Sequence, residues 1–135
     1  RSTLFPYTTL FRSSILSTQN KYERVVAFCS ILDAMILSDN EVGIKESLKK
    51  YVPILISNDL EQRKDLKNTI NEMYDVRSQY IHHGKELCIT NEQIRKYSGN
   101  VYCTLARLVQ LHKRYKTIKE ILSDVEDKMM GVSLD

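Results

Sequence analysis

Apolar residues recur every three or four positions through most of the chain, the spacing that amphipathic helices show. A first helix is predicted over about residues 20–38, with Ser38, Asp39 and Asn40 breaking the pattern after it. Its apolar positions are Val25, Phe28, Cys29, Leu32, Met35 and Ile36. A second helix is predicted from about residue 42, with Ile44, Leu48, Tyr51, Val52 and Leu55 as its apolar positions. Pro53 is expected to bend this helix or restart it, since proline lacks the N–H that a helix interior uses.

Three further helices follow. Asn58 or Asp59 is expected to cap the third, which should end at His83 and Gly84. Its apolar side is Leu60, Leu66, Ile70, Met73 and Ile81, and its solvated face is Glu61, Arg63, Lys64, Asp65 and Lys67. Thr90, followed by Glu92 and Gln93, opens a fourth helix that reaches about Tyr115.

The apolar positions of the fourth helix are Ile94, Tyr97, Val101, Leu105, Leu108 and Leu111, and Lys113 to Lys116 is expected to be its cationic end. The apolar positions of a short fifth helix are Ile118, Ile121, Leu122, Val125 and Met129. Only 4 Gly and 2 Pro are present, so turn signals for a β protein are scarce. The pattern predicts an all-α protein, an up-and-down bundle of four to five helices.

The first thirteen residues, RSTLFPYTTLFRS, look like the translation of a sequencing adapter and are treated as a non-native scar. Without Arg1 and Arg12 the chain has 18 basic and 17 acidic residues, so its charge does not argue for nucleic acid. Residues 14–135 are expected to form one domain, with the fifth helix and a tail from about residue 116. What precedes Ser14 in the intact gene is left open.

Cofactor and membrane signals are absent from the sequence. No apolar run approaches the roughly 18 residues of a membrane span, so no membrane partner is expected. Cys29, Cys88 and Cys103 are odd in number and form no CxxC or CxxH pattern, which favours reduced thiols in a cytoplasmic protein. Neither a glycine-rich phosphate loop nor a metal-ligand cluster is visible, so no cofactor and no metal is expected.

The end of the third predicted helix carries the chemistry, in the run Arg77-Ser78-Gln79-Tyr80-Ile81-His82-His83-Gly84. Arginine stays charged and its planar guanidinium matches phosphate oxygens. A histidine near neutral pH can accept and donate a proton, so both functions needed to cut RNA are present. Arg77 and His82 are about 140° apart round a regular helix, and they share a face only loosely unless the last turn unwinds. Gly84 predicts that it unwinds.

Two stretches carry a resemblance to a known family. One is Tyr74-Asp75-Val76-Arg77-Ser78-Gln79-Tyr80-Ile81-His82-His83-Gly84, and the other is Ser30-Ile31-Leu32-Asp33-Ala34-Met35-Ile36 in the first helix. In this order, followed by another long helix, they resemble the HEPN superfamily, in particular its Apea-like branch. The resemblance covers about residues 20–115.

The resemblance implies roles for named residues. Arg77 would bind the phosphate, and either His82 or His83 would be the motif histidine, with His82 preferred. Asp33 stands where the family's first helix usually has Glu. Ser78 follows the Arg where many active members have Asn, Asp or His, and it is a weaker partner for a phosphate. Tyr74 and Tyr80 could support the site by stacking on bases.

The resemblance also implies a function. Two protomers would form a homodimer with their Arg/His pairs facing across a cleft that admits single-stranded RNA. Without a metal, a histidine would help deprotonate a ribose 2′-hydroxyl, Arg77 would stabilise the phosphoryl charge, and a 2′,3′-cyclic phosphate would remain. Such proteins often act as bacterial toxins or phage-defence effectors, which would bring a cognate antitoxin or a partner domain.

Other interpretations stay open at this point. Arg77 could form a structural ion pair with Asp75, Asp33 or another acid, and a buried Asp33 would need Arg77 or a histidine as its partner. The histidines could simply favour a helix C-terminus, and the tyrosines could fill a core or a dimer seam. The chain could therefore be an endoribonuclease, a catalytically inactive HEPN module that dimerises or senses a ligand, or an unrelated bundle.

Overall fold

The computed structural model describes residues 20–36 and 43–131, and every regular element in them is an α-helix. The helices are α1 (Lys21–Ile36), α2 (Ile44–Ile56), α3 (Leu60–His83), α4 (Asn91–His112) and α5 (Ile118–Met129). The predicted all-α helical bundle is confirmed. Residues 1–13, which are expected to be a scar, and the predicted break at residues 38–40 lie outside the described residues.

Local signals account for the start of α3, α4 and α5. The Asp59 carboxylate caps α3 by accepting a hydrogen bond from the Gln62 N–H at 2.8 Å. Thr90 and Gln93 form a reciprocal capping box at the start of α4. The Thr117 hydroxyl caps α5 by accepting a hydrogen bond from the Glu120 N–H at 3.3 Å. Side-chain oxygens thus satisfy backbone N–H groups that have no partner within their own helix.

Of the two effects expected of Pro53, a bend or a restart of α2, the restart is wrong, because the helix runs through Pro53 to Ile56. Pro53 lies in the last turn of the helix, and its missing N–H removes one helical hydrogen bond. Its carbonyl still accepts a hydrogen bond from the Ser57 N–H at 3.0 Å. The Pro53 ring is itself buried against the bundle, so the proline contributes to packing rather than ending the helix.

Helices α1 to α4 all contact one another, and α5 packs on α2. The core draws on all five helices, and its largest fully buried side chains include Tyr51, Tyr97, Phe28, Ile31, Leu32 and Met35. α5 is attached to α2 by a polar contact as well, since Glu126 accepts hydrogen bonds from Lys50 at 2.9 Å and from the Tyr51 hydroxyl. The apolar faces predicted from periodicity are therefore largely the faces that pack.

Four predicted core residues are exposed instead, and all four lie in terminal turns. Ile44 and Leu60 are the first residues of α2 and α3, Ile81 is in the last turn of α3, and Met129 ends α5. Neighbouring helices do not cover these ends. α4 also stops earlier than predicted, at His112 rather than about Tyr115, because the chain turns and the Arg114 and Tyr115 N–H groups both donate to the Leu111 carbonyl. The cationic residues 113–116 follow α4 rather than close it.

Candidate functional site

Asp33, Tyr74 and Arg77 meet where α1 packs on α3. The Tyr74 ring is buried, and its hydroxyl donates a hydrogen bond to the half-buried Asp33 carboxylate. The same hydroxyl lies 3.3 Å from the Cys29 carbonyl oxygen, one turn before Asp33 on α1. The Arg77 guanidinium carbon is 5.9 Å from the centre of the Tyr74 ring, within cation–π range. Two residues of the motif stretch are therefore linked to the first-helix acid that the resemblance singles out.

Burial sets the protonation chemistry of this cluster. Burial raises the pKa of Asp33 above its ordinary value, while the hydrogen bond from Tyr74 and the Arg77 charge act in the opposite direction. Burial also raises the pKa of Tyr74 far above the usual value, with Cys29 and Asp33 adding to the effect. Tyr74 therefore stays a neutral hydrogen-bond donor, and it holds Asp33 in place.

The ion pairs considered for Arg77 do not form. Asp75 is bound by Lys45 at 3.0 Å, and Asp33 has Tyr74 as its hydrogen-bond partner, so Arg77 acts on Asp33 through charge alone. The expectation that a buried Asp33 would need Arg77 or a histidine is corrected accordingly. Within the described part of the chain, no hydrogen bond or salt bridge engages the Arg77 guanidinium, and its Nε is buried without a partner.

His82 and His83 lie apart from this cluster, on the exposed last turn of α3. Gly84 ends the helix in the left-handed region at φ 59°, where its N–H donates to the Tyr80 carbonyl and the Lys85 N–H donates to the Gln79 carbonyl. The predicted unwinding is wrong, because α3 remains helical up to His83. Arg77 and His82 consequently stay about 140° apart round the helix axis.

Tyr80 and Ser78 are both partly buried within the bundle. The Tyr80 ring stacks on the Tyr22 ring, with centroids 5.5 Å apart and planes 18° apart. The Tyr22 hydroxyl donates to the Leu87 carbonyl at 2.6 Å and so ties the start of α1 to the segment after Gly84. The bundle partly covers Tyr80, which supports the core interpretation of this residue over base stacking. Ser78 is half-buried on the same helix.

Sequence reasoning missed two residues of this region. Cys29 lies beneath Asp33 and is buried, with its thiol 3.9 Å from the Met73 carbonyl oxygen. Its spacing of four residues from Asp33 was a usable signal, since residues i and i+4 lie on one face of a helix. Tyr22 had no such signal, because its partner Tyr80 belongs to a distant part of the chain.

No family model, curated protein or solved structure matches this chain. Across residues 20–36 and 43–131, no group of three or more His, Cys, Asp or Glu side chains is placed to hold a metal ion. None of the helices described above is both long and apolar enough to cross a membrane. What the site can do is therefore argued from its own residues.

Proposed function

We propose that the protein is a HEPN-type, metal-independent endoribonuclease that cuts single-stranded RNA. One observation carries the proposal: Arg77 is held over Tyr74, while its guanidinium has no salt bridge or hydrogen bond in the described part of the chain. Structural arginines in bundles are usually paired, because an unpaired, partly buried charge is costly. An arginine kept in place but unpaired is suited to take up a phosphate from outside.

The proposed chemistry follows from the residues at this end of α3. A histidine, His82 by preference, removes the proton from a ribose 2′-hydroxyl, which attacks the adjacent phosphorus. Arg77 stabilises the charge on the phosphoryl oxygens, the 5′-oxygen leaves with a proton from a second acid, and a 2′,3′-cyclic phosphate remains. One imidazole cannot be base and acid at the same moment, so the second acid is His83 or a histidine of a second copy.

The geometry of α3 supports a dimeric site. Arg77 and His82 point about 140° apart on a regular helix, so one copy cannot easily bring both to the same phosphate. A second copy facing the first would place its histidines near the Arg77 of the other. Such a homodimer would act in the cytoplasm, as a toxin or phage-defence effector with a cognate antitoxin or partner domain.

The same angle favours a second candidate function, a catalytically inactive HEPN module that dimerises or senses a ligand. In that case Arg77 and the histidines are not used together. Arg77 would contribute to the packing of α1 on α3, and the exposed histidines would contact a partner or solvent.

Cleavage of a mixed pool of single-stranded RNA in EDTA distinguishes the two. We expect the full chain to leave 2′,3′-cyclic phosphate ends, detected by mass spectrometry, and Arg77→Ala and His82→Ala to abolish them. Arg114→Ala and His112→Ala are matched controls, since they remove the same side-chain types far from the site. Single-stranded DNA should stay intact, because it has no 2′-hydroxyl to attack the phosphate. A folded, dimeric protein in which wild type and Arg77→Ala are equally inert would reject the nuclease and support the module.

A further inference from the structure

Three cations from three helices converge on one short segment at the opposite end of α3 from the histidines. The segment is Leu55–Asn58, the end of α2 and the residues after it. Arg107 of α4 donates from Nε to the Leu55 carbonyl at 3.1 Å, and Arg63 of α3 donates from Nε to the Ser57 carbonyl at 2.8 Å. Lys128 of α5 donates to the Asn58 side-chain oxygen at 2.7 Å.

The positive charge gathered here is not balanced by salt bridges. None of the three cations is in a salt bridge within the described part of the chain. A helix C-terminus offers only about half an elementary negative charge, far less than three cations carry. Burial, and then the charges of Arg63 and Arg107, lower the pKa of Lys128, because both arginines lie close enough to disfavour its positive charge.

Two carboxylates of this region, those of Asp59 and Asp124, have other roles. The Asp59 carboxylate caps α3 through the Gln62 N–H. Asp124 borders a small cavity together with Arg107 and Lys128, but it accepts a hydrogen bond from Tyr115 and raises the pKa of that phenol. Arg107 also donates from a terminal nitrogen to the Gln110 side-chain oxygen at 2.8 Å. Each guanidinium has five N–H donors and the ammonium has three, so within the described residues most donors of the three cations have no partner.

An open groove of about 620 Å³ adjoins this cluster, within the range of about 300–1,000 Å³ that small-molecule sites occupy. Leu55, Ser57 and Asn58 form one wall, and Tyr102, Arg107 and Gln110 of α4 form the other. Arg107 is a half-buried cation inside the groove, and Arg63 and Lys128 flank its end at Ser57 and Asn58. Tyr102 is 61% exposed and presents an aromatic ring to the groove.

We infer that this groove binds a nucleotide unit, with its phosphate at the Arg63, Arg107 and Lys128 cluster and its base against Tyr102. A phosphate would supply the negative charge that the cluster lacks, through charge-assisted hydrogen bonds to unused donors. An exposed aromatic ring beside a cationic groove is the usual arrangement for stacking a base. The nucleotide can be free or part of a single strand. The site does not rest on the proposed nuclease activity, because it lies at the other end of α3, roughly 30 Å from the histidines.

Calorimetric titration of the full chain tests the inference with four probes: 5′-AMP, adenosine, inorganic phosphate and a four-residue deoxyribonucleotide, which has no 2′-hydroxyl to cut. We expect 5′-AMP to bind at least tenfold more tightly than adenosine. Lys128→Gln should weaken 5′-AMP binding about tenfold. Tyr102→Leu should weaken 5′-AMP binding but leave phosphate binding unchanged. Lys85→Gln is the matched control, because Lys85 is exposed just after the last turn of α3, at the end of that helix opposite the groove.

The outcomes separate the sources of the ligand. Binding of the deoxyribonucleotide at least tenfold tighter than 5′-AMP identifies a strand, and equal or weaker binding identifies a free nucleotide. Within the described residues Lys128 donates one hydrogen bond, to the Asn58 side chain, so Lys128→Gln should fold, and its thermal unfolding is checked beside the titration. The inference is overturned if 5′-AMP does not bind at millimolar concentration, if adenosine binds as well, or if Lys128→Gln and Tyr102→Leu bind like wild type. Arg77→Ala should leave 5′-AMP binding unchanged, whatever its effect on RNA cleavage.

Discussion

Arg77 and the histidine pair belong to one short stretch of α3, yet the structure treats them differently. Arg77 is half-buried, lies over the Tyr74 ring and is close enough to Asp33 to influence its charge. His82 and His83 are exposed on the last turn, where nothing in the described residues packs over them. The position of the proposed phosphate-binding group is therefore set by contacts between α1 and α3. The position of the proposed proton-transfer groups is set only by the end of one helix.

The difference shows which part of a site one chain can preorganise. A side chain held by buried neighbours loses little conformational entropy when its ligand arrives, whereas an exposed imidazole must be ordered at that moment. If the proposed nuclease is correct, the missing order comes from a second copy and from the RNA. The four predictions below test this contrast, from the largest expected effect to the smallest.

Replacing the exposed histidines should change activity but not stability. His82→Ala is expected to lower RNA cleavage by roughly 10²–10⁴-fold, the usual contribution of a general acid or base. Its free energy of unfolding should stay within about 0.5 kcal/mol of wild type, because the side chain is exposed. His83→Ala, its matched neighbour, should have the smaller effect on rate. Cleavage rates beside urea unfolding check this, and a larger loss from His83→Ala would make His83 the motif histidine.

Replacing the buried partner of Asp33 should do the reverse and act on stability first. Tyr74→Phe keeps the ring beneath Arg77 but removes the hydroxyl that donates to Asp33, at a cost of about 1–3 kcal/mol in unfolding free energy. Tyr80→Phe is the control, since its ring stacks on Tyr22 while its hydroxyl makes no hydrogen bond in the described part. Both variants are compared by urea denaturation, and equal stabilities would show that the hydrogen bond from Tyr74 to Asp33 does not stabilise the fold.

Two glycines test how firmly the helix end holds the histidines. Gly84→Ala should lower the free energy of unfolding by about 1–2 kcal/mol. The added Cβ would meet no neighbouring atom, and the cost comes from the left-handed backbone at φ 59°, which is unfavourable for Ala. Gly99→Ala is its counterpart inside α4, also without a nearby atom, and should stabilise by about 1 kcal/mol. Thermal unfolding measures both, and effects of equal sign would show that the end of α3 is not fixed by Gly84.

The pH dependence of stability should report on Asp33. Because burial raises its pKa, the folded protein keeps a proton that the unfolded chain releases as the pH rises above about 3.8. Stability is therefore lost as the pH rises from the unfolded pKa through the folded one. Over that pH range the free energy of unfolding of Asp33→Asn should rise relative to that of wild type, as measured by urea titrations at several pH values. Asp75→Asn, which loses an exposed pair with Lys45, should show no such gain.

Periodicity and capping chemistry predicted the bundle well because both are local. The Thr90–Gln93 box and the Asp59 cap depend on residues three apart, and the buried faces follow the helical repeat. The errors also have local causes. Ile44 and Leu60 fit the repeat, but they begin their helices, where no neighbouring helix covers them. Periodicity describes a face of a helix and carries no information on how far the neighbours extend along it.

The candidate site was only partly predictable for a different reason. Arg77, His82 and His83 share one stretch, so a motif could locate them. The contact between Tyr74 and Asp33 depends on the register of α1 against α3, across 41 positions of sequence. The convergence of Arg63, Arg107 and Lys128 depends on three helices at once. Each of these cations alone is typical of a solvated face, and only the tertiary fold shows that they meet.

The buried thiol of Cys29 can report how often the packing between α1 and α3 opens. Cys88 and Cys103 are exposed and would react with an alkylating reagent at once, whereas Cys29 is buried beneath Asp33. Burial also raises its pKa, so little reactive thiolate forms at neutral pH. The rate at which Cys29 is alkylated would therefore follow how often α1 and α3 separate. A ligand that stabilises the contacts of Arg77, Tyr74 and Asp33 would slow the alkylation of Cys29, and no engineered cysteine is needed for the measurement.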